Sequence, residues 1–298
     1  MKKYLSKIGE EHTTNSGLKI VITEHINSAN CTIQFEDGSI LTNIQYSNIK
    51  SGSIRKEKTK IGEKHITSEG YEVEVIKYLG RQNCTIKFNN GLELDGLQYS
   101  NIKRGKVKNP YHKSVYGVGY LGEGEFLIQK SCSKCSTWRN IISRCYSGTT
   151  QEKHPTYKNC SVDERWHNFQ NFAKWYEENY ISEWHLDKDI LFKGNKIYSP
   201  QTCCFVPAEI NTLFVKNNIR RGDSPIGVFK TKSGKFSASI NKYGTLIHLG
   251  TFDTIEEAFQ IYKTTKEAYI KKVADEWRPL IKPRVYDAMY AYEVEITD

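Results

Sequence analysis

The first 110 residues contain one pattern written twice. IGEEHTTNSG at position 8 returns as IGEKHITSEG at 61, NCTIQFEDG at 30 as NCTIKFNNG at 83, and QYSNIKSGSI at 45 as QYSNIKRGKV at 98. The offset is 53 residues at each match, so nothing has been inserted between the copies. Two copies of one small module are therefore expected, residues 1–55 and 56–110, each with its own core. LKIVIT and YEVEVIKYL are β-branched and aromatic runs, and CTIQF and CTIKF alternate with Cys, Ile and Phe on one face. EDG and NNG supply the residues that tolerate hairpin turns. Several short strands in so short a unit predict a small antiparallel, barrel-like module. Tyr46 and Tyr99 with Lys50 and Lys103 read two ways. They form a stacking and charged surface, or the tyrosines belong to the core and the lysines to solvent.

The whole chain has 298 residues, too many for one small core. Hydrophobic residues make up 38% and charged residues 26%, which excludes a disordered composition. No apolar run reaches the ~18 residues that suggest a membrane span. MKKYLSKIGEEH lacks the apolar stretch of a secretory signal, so a cytoplasmic protein is expected. The net charge of +9 favours a polyanionic partner. The eight cysteines read as reduced thiols. CSKC at 132–135 is the only Cys-x-x-Cys, and Cys145, Cys160, His154, Cys203 and Cys204 stand at no diagnostic spacing from it. A structural zinc is not expected.

KNPYHKSVYGVGYLGEGEF reads as a connector with a short hairpin and marks a boundary near residue 110. Beyond it, Trp138, Ile141, Ile142 and Cys145 lie on one helical stripe, and Trp166, Phe169, Phe172, Ala173 and Tyr176 on another. The second, aromatic stripe is read as core rather than as a base-stacking platform. EWHLDKDIL, KGNKIYSP and TCCFV then read as strand, turn and strand. Pro207 opens a helix, AEINTLFVKNN, at a position where its missing N–H costs nothing. His185, Asp187 and Asp189 fall within five positions, a spacing suited to metal or acid–base chemistry.

This segment resembles the HNH, or His–metal finger, endonucleases, especially those carried by phages. The resemblance implies a ββα finger framed by helices, with His185 as general base and Asn211 as a metal ligand on the helix. Asp187 or Asp189 would complete the site around one Mg²⁺ or Mn²⁺. The residue before His185 is Trp184, where the family often carries an acid, and Thr202 stands near the place of a bracing Asn.

SPIGVFKTKSGKFSASINKYGTLIHLGTFDTIEEAFQIYKTTKEAY, from position 224, is similar to the apetala/ethylene-response-factor DNA-binding domain. Three strands joined by glycine turns precede TIEE, a capping box with Thr254 as N-cap and Glu257 reaching back. Alternation puts Lys235, Ser237 and Ser239 on one face and Phe236, Ala238 and Ile240 on the other. The resemblance implies that the first face meets double-stranded DNA, together with Leu246 and His248, while Lys230, Lys232 and Lys242 hold phosphates. The tail RPLIKPRVYDAMYAYEVEITD is expected to dock as a strand.

The expected fold is thus α+β and multidomain. It comprises the two β-modules, a central domain at 111–222, and a three-stranded sheet plus helix with a tail at 223–298. The expected function is that of a phage-type DNA endonuclease acting in the cytoplasm of a bacterial host. The alternative is a catalytically inactive DNA- or protein-binding phage protein that regulates or blocks a host defence complex, with the N-terminal repeats as a surface for a host protein.

Overall fold

The computed structural model describes residues 6–56, 60–129, 132–215 and 224–298. The chain divides into two compact units, Met1–His112 and Lys113–Asp298. The architecture is α+β, built from several small, mainly antiparallel sheets and eight α-helices among the described residues.

In the first unit, β1 (Glu11–Thr13), β2 (Lys19–Asn27), β3 (Asn30–Phe35) and β4 (Ile40–Ile44) pair in chain order and lead into a short helix, α1 (Tyr46–Lys50). The second copy repeats this as β5 (Lys64–Ile66), β6 (Glu72–Tyr78), β7 (Cys84–Phe88), β8 (Glu93–Leu97) and α2 (Tyr99–Lys103). Each ladder is a four-stranded meander, with no pairing from its last strand back to its first among the described residues. The alternation read from CTIQF holds: Cys31, Ile33 and Phe35 are buried, as are Cys84, Ile86 and Phe88. Ile49 and Ile102 plug the two sheets from their helices. Each helix ends in a glycine at positive φ whose place is fixed by crowding. A Cβ on Gly52 would lie 3.0 Å from the Thr13 carbonyl oxygen, and one on Gly105 would lie 2.7 Å from that of Ile66.

A polar cluster recurs with the fold. Tyr46 donates its hydroxyl to Glu10 at 2.7 Å, Lys7 pairs with the same carboxylate at 2.9 Å, and His12 Nε2 stands 3.3 Å from it. The Lys7 ammonium lies 5.4 Å from the Tyr46 ring centroid. Tyr99, Glu63, Lys60 and His65 repeat this arrangement 53 residues on. Hydrogen bonds from Lys7 and then Tyr46 pull the Glu10 carboxyl down to about 2. The tyrosines are half-buried and tethered, while Lys50 and Lys103 are exposed.

The second unit opens with a connector pinched by a bridge between Val115 and Gly119. It continues with α3 (Ser133–Tyr146), α4 (Gly148–Lys153), β9 (Ser161–Val162), a 3-10 turn at Glu164–His167 and α5 (Phe169–Asn179). Both aromatic stripes are buried, and the Trp138 indole donates to the Trp166 carbonyl at 2.6 Å. β10 (His185–Asp187), β11 (Ile197–Tyr198), β12 (Cys204–Val206) and α6 (Ala208–Leu213) follow. The sheet β13 (Val228–Lys230), β14 (Phe236–Lys242) and β15 (Thr245–Phe252) is backed by α7 (Ile255–Trp277), and α8 (Pro283–Tyr290) closes the chain.

Ile190, Cys204, Val206 and Ile210 share one hydrophobic core with Val228, Ala238, Ile240, Ala258 and Tyr262. The parts read separately as 111–222 and 223–298 are thus joined by continuous packing. Thr254 and Glu257 form the capping box expected of TIEE. The helix runs on beyond Tyr262 because Tyr269, Ile270, Val273 and Ala274 continue its apolar stripe. The tail is a helix rather than a docking strand: Pro283 presets the first turn, and Val285 and Met289, four apart, are buried in this core. All eight cysteines are free thiols. No helix among the described residues is long and apolar enough to cross a membrane.

Candidate nucleic-acid interface and central cleft

The central site grows from a short strand pair. β10 and β12 run antiparallel, with His185 opposite Val206 and Asp187 opposite Cys204. The intervening chain is held by its own polar groups. Asp187 Oδ1 accepts the amides of Asp189 at 2.6 Å and Ile190 at 2.7 Å, turning the backbone sharply after the strand. Burial raises the Asp187 carboxyl above its ordinary range, against the pull of those two amides. Lys188 is 7% exposed. Its ammonium donates to Asp189 Oδ1 at 2.6 Å and to the Asn195 carbonyl at 2.9 Å, and lies 5.8 Å from the Tyr198 ring centroid. The Asn195 side chain donates back to the carbonyls of Lys188 and Ile197. Thr202 closes the loop by donating its hydroxyl to the Ile197 carbonyl at 2.6 Å.

A cavity of about 720 Å³ opens over this loop. His185, Asp187, Asp189 and Asn211 all line it, as do Arg144, Lys188, Lys193 and Lys196. His185 is exposed. The cleft therefore gathers the four residues named from sequence, but their carboxylates are engaged. Asp187 braces the loop, and an ammonium sits on Asp189. No group of three or more His, Cys, Asp or Glu side chains among the described residues could hold a metal ion. The Lys188 ammonium sits on Asp189 where a divalent ion would bring its charge.

The C-terminal sheet offers a second surface. Lys230, Lys232 and His248 are exposed, and Lys235 is exposed but paired with Asp253 at 2.8 Å. Leu246, 71% exposed, and Phe229 add apolar area. Of the expected contacts, Ser237 needs correction, and Ser239 and Lys242 are less open than the others. Ser237 is 3% exposed, enclosed in the middle strand between Phe229 and Thr251, with its hydroxyl 3.2 Å from His248 Nδ1. Ser239 is half-buried beside a β-bulge at Ala238/Ser239 and lines a different cavity, of about 870 Å³. The Lys242 ammonium is drawn 5.5 Å from the ring centroid of Tyr269, a residue of α7, and so turns toward the helix side.

Sequence reasoning passed over Arg144 and Asn195. Pairing of the aspartates with Lys188 is one reading of their spacing, and Lys188 does donate to Asp189; its burial beneath the Gly194–Asn195 turn is what residue type does not reveal. Comparison of the chain with protein-family models, with curated proteins and with solved structures finds no significant match.

Proposed function

We propose that this chain is a DNA-binding protein of phage type. The observation that carries the proposal is the C-terminal sheet, where Lys230, Lys232, Leu246 and His248 are all exposed, on a chain of net charge +9. Cations hold phosphates, and a protruding apolar side chain contacts base edges or sugars. The resemblance of this segment to the apetala/ethylene-response-factor domain points the same way. The test is anisotropy of a labelled duplex from about 50 to about 200 mM salt. Lys230→Ala with Lys232→Ala should reduce the slope of log K against log salt by about 2. A wild-type protein that binds no duplex at the lower salt would refute the reading.

A second reading, a metal-dependent nicking enzyme, is favoured by the convergence of His185, Asp187, Asp189 and Asn211 on one cleft. It requires Lys188 to release Asp189 before Mg²⁺ or Mn²⁺ could enter. Conversion of supercoiled plasmid to open circle, abolished by His185→Ala, would support it. Unchanged plasmid with either ion would leave the protein a binder alone.

A further inference from the structure

The central cleft has a charge imbalance at one wall. Arg144 projects from α3 next to the buried Cys145, and it is half-buried itself. Its Nη1 stands 3.5 Å from the Tyr198 hydroxyl, and the guanidinium carbon lies 5.2 Å from the Tyr157 ring centroid. No carboxylate pairs with it among the described residues. Each acid in the cleft is matched elsewhere: Asp187 by two backbone amides and Asp189 by Lys188. Lys193 is matched by Asp298 at 2.9 Å. Lys196, exposed on the same cleft, has no ion pair among the described residues.

Removing a guanidinium from water without an opposing charge is costly, so such a group is one anion short of satisfaction. Its planar fork carries five N–H donors, far more than the one long contact to Tyr198 uses. Burial holds the Tyr198 phenol protonated well above its ordinary range, so that side chain is a hydroxyl and not a hidden anion for Arg144.

We infer that Arg144 is a phosphate-binding subsite of the central cleft, with Lys196 at its mouth and the Tyr157 ring as a flanking face for the attached sugar or base. Two parallel donors meet two phosphate oxygens, a match that a lysine ammonium makes only as a point charge. The aromatic face beside the fork favours a phosphate ester carrying a flat group over a bare carboxylate. The inference rests on the DNA-binding reading for its ligand, a duplex phosphodiester. A free phosphate or nucleoside monophosphate shares the chemistry, and the experiment separates them.

Full-length wild type, Arg144→Gln and Arg144→Lys are compared in two assays. One is anisotropy of a labelled duplex in EDTA at about 100 mM salt. The other is quenching of tryptophan emission by inorganic phosphate and by a deoxynucleoside monophosphate, since Trp184 lines the cleft. Arg144→Gln should weaken duplex binding about 10-fold and lower the salt slope by about 1. Arg144→Lys, which keeps the charge, should restore the slope but only part of the affinity. Wild type that binds no duplex, yet shows quenching that depends on Arg144, would sink the DNA reading and assign the subsite to a free phosphate. Duplex affinity, salt slope and quenching all unchanged in Arg144→Gln would overturn the inference. If Arg144→Gln fails to fold, the same comparison between wild type and Arg144→Lys decides it, equal affinity in both assays being the refuting result.

Discussion

Replacing Asp187 by asparagine and by alanine separates its role as a loop brace from a role as a metal ligand. Asparagine keeps an acceptor oxygen for the amides of Asp189 and Ile190, while alanine leaves both without one. Each abandoned, part-buried amide costs about 1–2 kcal/mol, so Asp187→Ala should lose about 2–4 kcal/mol. With a urea dependence of about 2 kcal/mol per molar, the midpoint should fall by about 1–2 M. Asp187→Asn should stay within about 0.5 kcal/mol of wild type or exceed it, since it no longer buries a charge. The pH dependence has a definite sign. Burial raises the folded carboxyl above its unfolded value, so its stabilising contribution is complete below the unfolded value and is lost as pH rises through the folded one. The advantage of Asp187→Asn should therefore be largest near neutrality and vanish toward about pH 4. Tryptophan emission is the assay: all five tryptophans lie beyond residue 112, so it reports the second unit alone. An asparagine variant that unfolds as early as the alanine variant would refute the bracing argument.

Gly227→Ala should cost about 3 kcal/mol or more on the same assay, because a Cβ there would fall 2.0 Å from the Tyr262 ring at φ +77°. Gly234→Ala, at φ +87° with nothing within 4 Å, should cost only about 1 kcal/mol, and equal losses would contradict the steric account. Glu10, held down to about 2, stabilises the first repeat above its unfolded value near 4.5 and loses that effect as pH falls toward 2. In Glu10→Gln, hydrogen exchange in β1–β4 should become less pH-dependent across that window, with β5–β8 unaffected. Among the thiols, Cys132 should react first with a disulfide reagent at pH 8: burial works against its ionisation, but hydrogen bonds from Cys135 and the Lys134 amide outweigh it. Cys145, Cys203 and Cys204, pushed up to about 12 by burial, should react only on unfolding.

Where local rules were sufficient, the sequence was legible. The 53-residue offset announced two modules, period-2 burial in CTIQF gave their cores, and Thr254 and Glu257 marked the start of α7 to the residue. What escaped depended on neighbours distant along the chain. Ser237 satisfies alternation yet is enclosed by Phe229 and Thr251, which no pattern within its own strand records. The tail became a helix because its apolar residues found a core assembled from segments up to 100 residues away. In the cleft, sequence places His185 and the aspartates within five positions and offers Lys188 as a partner for them, but the amides that engage Asp187 come from the backbone. Those partners follow from loop geometry, not from residue type.

The paired modules also raise a sorting problem for the chain. The inward residues of β3 and β7 are the same three, Cys, Ile and Phe, so either strand would fill the other's core without leaving a hole. A nascent or destabilised chain could therefore thread the wrong copy, within itself or between two molecules. The outward position between Ile and Phe tells the copies apart. Gln34 lies between Val21 and Ile40, whereas Lys87 lies between Glu74 and Glu93. Exchanging the strands would place Lys87 between two apolar neighbours and deprive Glu93 of its 3.1 Å ion pair, at about 0.2–1 kcal/mol for each cross-strand pair. Between NCTIQF and NCTIKF this outward position is the one difference, and Lys87→Gln should raise the share of strand-exchanged species.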